Sequence, residues 1–103
     1  MSAIHELSAT ELAAEYRRGA LSPVEVAIAQ LARIDAWEPR LNAMYRLDRD
    51  AALAQARAAE ARWRAGAPLS PLDGVPVTIK ENIATHGDPA PIGTRANEDA
   101  LPA

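Results

Sequence analysis

The sequence predicts a mostly α-helical chain with one or two short strands, part of a larger α/β architecture in which helices cover a sheet. Three observations carry this. Three segments show helical spacing with start and stop signals at their ends. A single short run, residues 75 to 79, is apolar at nearly every position, as in strands covered on both faces. Only one other candidate strand exists, and one or two strands cannot make a covered sheet, so strands from elsewhere must complete it.

The first helix is expected over 8–19. Ser8 opens "SATE" with Glu11 three residues on, the spacing of a capping box. Leu7 and Leu12 stand at the distance of a hydrophobic staple, and Gly19 is a left-handed stop. The second is expected over 22–38, with Ser22 as N-cap, Pro23 in the first helical position and Glu25 closing a second box. Val24, Ile28, Leu31 and Ile34 share one helical face, and Pro39 is read as ending the helix near Trp37. Residues 41 to 47, "LNAMYRL", alternate in polarity and read as a short strand or an extended connection. The third helix is expected over 48–66, capped by Asp48 or Asp50 and ended by Gly66. Ala52, Ala56, Ala59 and Trp63 lie on one side of it, a narrow face suited to close packing.

The character changes at Ala67, after which most of the prolines occur and helical periodicity stops. This divides the chain into a helical region, 1–66, and a second region, 67–103, that begins with an Asp73-Gly74 turn and a strand at about 75–80 and continues as a long loop.

Composition narrows the function. The chain has 103 residues, a net charge of −3 and basic residues scattered among acidic ones, so no basic stripe suits nucleic acid. There is no cysteine, which excludes disulfides and thiolate metal sites. His5 and His86 lie far apart and lack ligand spacing. No run is apolar and long enough to span a bilayer, and "MSAIHELSAT" does not read as a signal peptide, so a cytoplasmic location is expected. Hydrophobic residues are 49% of the chain, but alanine inflates that figure and Phe is absent, so the core is expected to be thin.

Lys80 stands out. It is the only lysine, every other basic side chain being arginine, and it ends the apolar run. A lysine at a strand end usually sits in water and discourages edge pairing. A buried amine would instead serve as a base. Its ordinary pKa of about 10.4 would have to fall by roughly 3 units, which desolvation by apolar walls can supply. Arginine cannot replace it there, because guanidinium does not deprotonate in proteins.

The stretch "PLDGVPVTIKENIATHGDPAPIGT", from Pro71 to Thr94, resembles the opening block of the amidase signature hydrolases. Gly74, Val75, Pro76, Lys80, Glu81, Gly87, Pro89, Gly93 and Thr94 fall in register with it, and "SPVEV", "LNAMYRL" and the alanine-rich helix resemble the family's N-terminal region. The resemblance implies an α/β parent fold with a mixed sheet. It also implies hydrolysis of a carboxylic amide to acid and ammonia or amine by a Ser–cis-Ser–Lys triad, with no cofactor. Lys80 is implied as the catalytic base that takes a proton from the bridging serine, which in turn activates the nucleophilic serine.

Ala90 and Pro91 stand where the family often has threonines, and Glu81 where it often has Asp. The glycine- and serine-rich segment that carries both serines has no counterpart here. Ser2, Ser8, Ser22 and Ser70 read as caps and turn residues. The chain is therefore expected to be the N-terminal part of such an enzyme and inert alone, with a small-molecule amide as the parent's substrate. Its partner would be the remainder of the amidase, or further copies through self-association. Two alternatives stay open: the amide-hydrolysing subunit of a tRNA-dependent amidotransferase, and a non-catalytic helical interaction or oligomerisation module.

Overall fold

The computed structural model describes residues 3–44 and 46–79. The expected loop beyond Ile79, and Lys80 with it, lies outside the described residues. A 3-10 turn, Ile4–Glu6, leads into three helices, α1 (Ala9–Arg18), α2 (Pro23–Leu41) and α3 (Arg49–Arg64).

Each helix starts where a side chain accepts from a backbone N–H that the helix itself leaves unpaired. At α1 the box is reciprocal: Glu11 N donates to Ser8 Oγ at 3.2 Å, and Ser8 N donates to Glu11 Oε1 at 2.9 Å. At α2 only the Ser22 half of the expected box forms, with Glu25 N donating to Ser22 Oγ at 3.1 Å. Asp48, not Asp50, caps α3, accepting from Ala51 N at 2.9 Å. Gly19 ends α1 at φ 73°, in the left-handed region where glycine has no Cβ penalty.

The second helix continues past Pro39 to Leu41, which corrects the expected stop near Trp37. Pro39 cannot give the N–H bond to the carbonyl four residues back, yet the helix runs two residues beyond it. The stop comes at Asn42, left-handed at φ 49°, whose N–H donates to Glu38 O at 2.7 Å. The Glu38 carboxylate then accepts from Ala43 N and, at 2.6 Å, from Met44 N, turning the chain away from the axis. This removes the strand considered for 41–47: the described residues there are helix and then irregular backbone.

The core is small. Leu12, Tyr16 and Val26 form its buried centre, with Leu7, Leu21, Trp63 and Val75 packed around it. Helices α2 and α3 pack together, and the buried Ala56 and Ala59 give α3 the narrow face expected of it. The face expected of α2 is partly corrected. Val26 is fully buried, whereas Ile28 is exposed, because the N-terminal end of α2 turns toward α1 rather than along the expected stripe.

No strand forms among the described residues, so the strand expected at about 75–80 is corrected for 75–79. That stretch carries no ladder, and Val77 is 78% exposed. A strand needs a neighbour for its backbone N–H and C=O groups, and the described helices offer none.

Candidate functional site

The turn that launches this stretch is where side chains from all three helices meet. It closes on itself through Asp73 N to Ser70 O and Val75 N to Leu72 O, both at 3.1 Å, with Leu72 N donating to Ser70 Oγ. Ser70 is thus a turn residue, as Ser8 and Ser22 are caps.

Asp73 is the buried charged residue of the described structure. Arg62 on α3 meets its carboxylate with two parallel bonds, Nε to Oδ2 at 2.7 Å and Nη2 to Oδ1 at 2.8 Å, and Leu69 N adds a third at 2.9 Å. The paired bonds from Arg62 hold the Asp73 carboxyl below its ordinary value. Burial opposes them, and the Leu69 N–H and the guanidinium charge assist. The same bonds raise the Arg62 guanidinium above its ordinary value.

The backbone of the turn is gripped as well. Trp63 Nε1 donates to Asp73 O at 2.8 Å, and Tyr16 Oη, from α1, donates to Gly74 O at 2.8 Å. The two rings lie 5.9 Å apart and tilted by 53°, so each supports the other's aim. Burial pushes the Tyr16 phenol up to about 12, which keeps it a donor across the physiological range. Gly74 sits at φ 84°, and a Cβ there would fall 2.7 Å from Pro23 Cγ and 3.2 Å from Ala59 Cβ. Glycine is required both for the backbone angle and for the approach of α2 and α3.

Beyond the turn, a groove of about 480 Å³ runs between α2, α3 and residues 75 to 78, lined by Leu31, Ile34, Ala52, Ala56, Val75 and Val77 among others. Its ionisable lining groups are Arg62 and Asp73, already paired with each other. His5 lies beside Glu6 at 3.9 Å on the surface, and the described residues hold no group of three His, Cys, Asp or Glu side chains suited to a metal. No helix among them is long and apolar enough to cross a membrane.

The expected catalytic residue, Lys80, is thus not placed by the described structure, which ends one residue before it. Sequence reasoning marked Asp73-Gly74 as a turn but did not identify Tyr16, Arg62 and Trp63 as its holders. The available signal was an Arg-Trp pair in the last turn of α3, ten residues ahead of an Asp-Gly turn and facing the same core as Tyr16.

These features define an α-helical cradle that holds the turn at Asp73–Gly74 and the start of the apolar run after it. A family model described as Amidase matches residues 25–103, and the chain belongs to that family. It is 41% identical over 102 residues to the A-type subunit of the glutamyl-tRNA(Gln) amidotransferase of Streptomyces coelicolor, an alignment covering 99% of this chain and 20% of that protein. The corresponding protein of Chloroflexus aurantiacus is 45% identical over 95 residues, covering 92% and 20%. An acylamidase of Rhodococcus erythropolis is 41% identical over 98 residues, covering 95% and 20%. The chain spans about one-fifth of the length of these curated relatives.

Proposed function

We propose that this chain supplies the lysine-bearing part of an enzyme that cleaves a carboxylic amide C–N bond. Lys80 is its general base, working through a bridging serine on a nucleophilic serine, both contributed by polypeptide outside these 103 residues. The observation that carries this reading is the Amidase match over residues 25–103, which contains the whole block from Pro71 to Thr94. The parent fold is α/β, a mixed sheet that residues 75 to 80 join, and the helical region 1–66 packs against the beginning of that core. The substrate is a small amide.

The proton path sets the requirement on Lys80. A neutral amine accepts the proton that the serine pair releases as the nucleophile attacks the carbonyl, and returns it to the leaving nitrogen. The amine must therefore be largely uncharged near neutrality, which requires apolar walls around it. Val77 and Ile79, exposed in the described structure, are the residues such walls would cover.

A second reading, an A-type amidotransferase subunit, is favoured by the names of the Streptomyces coelicolor and Chloroflexus aurantiacus relatives. It shares the cleavage step and differs in the fate of the ammonia, which would pass to a partner subunit instead of being released.

Ammonia release tests both. Glutamine and a simple acyl amide are offered to the protein in its native length, to its Lys80→Ala variant and to the 103-residue chain alone. Turnover by the native protein, lost in Lys80→Ala and absent from the isolated chain, is the expected result. Glutamine turnover that rises when amidotransferase partner subunits are added selects the second reading. Full turnover by Lys80→Ala removes the lysine from the mechanism. Turnover by the isolated chain shows that no serine from elsewhere is needed.

A further inference from the structure

One side of α2 is covered at its beginning and bare at its end. Val26 lies on that side and is fully buried against Leu12 and Tyr16 of α1. Arg33, Trp37 and Arg40 fall on the same side two to four turns further on. There the cover has ended: both arginines are exposed, and Trp37 is 41% exposed.

The three side chains engage one another. Both guanidinium groups lie over the indole, 5.1 Å and 5.8 Å from the ring centroid. The arginine ion pairs of the described residues belong to Arg18, Arg49, Arg62 and Arg64. The acids in this half of α2 face elsewhere. Asp35 pairs with Arg49, and the Glu38 carboxylate accepts from Ala43 N and Met44 N. Two positive charges thus share one aromatic platform, and no carboxylate of the described residues pairs with either.

That charge identifies the occupant. The ring orders the two guanidinium groups without neutralising them, so an arriving carboxylate meets donors already in place. Arginines seven residues apart stand about 10 Å apart along the axis, which matches carboxylates at i and i+7 of a facing helix. Ala29, Ala32 and Ala36 flank the row, so such a helix can approach closely and set an apolar side chain on Trp37. Trp and Arg are also the residues that dominate protein–protein contacts. Other anions fit less well. A helix lying on a bilayer needs several large apolar side chains on its face, and this row has one, beside alanines. Two cations in a chain of net charge −3 offer nucleic acid few phosphate contacts.

The row also points away from the groove. Ala27, Leu31 and Ile34, which line the groove beside residues 75 to 78, lie about 120° around the axis from it. Polypeptide that adds to the apolar run therefore arrives on another side of α2. We propose that the Arg33–Trp37–Arg40 row is a docking surface for an acidic helix of a partner protein, its carboxylates on the two arginines and an apolar side chain between them on Trp37. The surface is independent of the amide-cleaving reading. It is short, so the contact is of the weak, salt-sensitive kind.

The test uses the protein in its native length and two alanine-based helical peptides. One carries glutamates at i and i+7 with a leucine at i+3, and the other has glutamines in place of the glutamates. Binding is followed by indole emission at low and at physiological salt, with Trp37→Phe assigning the response. The glutamate peptide is expected to bind saturably and more weakly as salt rises. Arg33→Ala and Arg40→Ala should each weaken it about threefold to fivefold, as the loss of one exposed ion pair gives, and the glutamine peptide should bind about tenfold more weakly. The peptide comparison decides the matter if an arginine variant does not fold. No saturable binding, equal binding of the two peptides, or binding indifferent to both arginines overturns the proposal. So does a Trp37 that acrylamide cannot quench in the native-length protein, since its own polypeptide then fills the surface. Tighter Trp37-dependent binding to phosphatidylserine vesicles or to a single-stranded oligonucleotide than to the glutamate peptide also overturns it, assigning the row to phosphate.

Discussion

At Gly74 a hydrogen stands where any other residue would place a carbon against Pro23 and Ala59. Gly74→Ala therefore combines a left-handed backbone penalty with overpacking, and a loss of about 2–4 kcal/mol is expected in urea unfolding. The pH dependence follows from the two titratable groups of the turn. The folded-state pKa of Asp73 lies below its ordinary 3.8, so its contribution is fully present above that value and is lost as pH falls through the lower, folded value. Urea midpoints at pH 6 and pH 3 are expected to differ less in Asp73→Asn than in the unsubstituted protein. Tyr16 has the opposite sign. Its pKa is raised from 10.0 to about 12, so its contribution is complete below pH 10 and disappears as pH climbs toward about 12. Tyr16→Phe is expected to lack that alkaline loss.

The helices were legible where short-range chemistry decides them. Ser8, Ser22, Asp48 and Gly19 act where the sequence places them, because a cap involves partners only two or three residues away. The end of α2 was misread because Pro39, two residues before its last residue, is passed, and the stop is Asn42, backed by Glu38. The apolar run at 75–79 was read as a strand, yet a ladder is a property of two segments, and no strand forms among the described residues. The contacts that hold the Asp73–Gly74 turn were least legible, since Tyr16 and Gly74 meet across 58 residues and local spacing carries no trace of that. Two substitutions test the elements. Ser22→Ala is expected to cost about 1 kcal/mol through the lost cap of α2. Ala59→Leu should cost about 1–3 kcal/mol, because the alanine face of α3 is already in close contact with α2 and the turn. Both are read from the urea midpoint.

For the molecule as a whole, several strongly exposed apolar side chains lie between Leu69 and Ile79, with Leu41 and Ile28 exposed on α2. Leu69, Leu72, Val77 and Ile79 are 78%, 50%, 78% and 58% exposed, and residues 75 to 79 form no ladder among the described residues. An open, apolar edge of this kind invites pairing with another strand. The 103-residue chain is expected to associate with rising concentration in light scattering, and Val77→Lys to reduce that association. Such association would be an unfinished fold finding a substitute neighbour. On the proposed reading of Lys80 as a base, the apolar wall that would keep its amine neutral would cover Val77 and Ile79. Lys80 is the only lysine among the 103 residues, so a carbon-13 lysine label reports it directly, with loss of the signal in Lys80→Arg making the assignment in the longer protein. In the native-length enzyme this resonance is expected to titrate roughly 3 units below the ordinary value of about 10.4, and in the isolated chain close to that value. A Lys80 that stays charged throughout the active pH range of the enzyme would contradict the account.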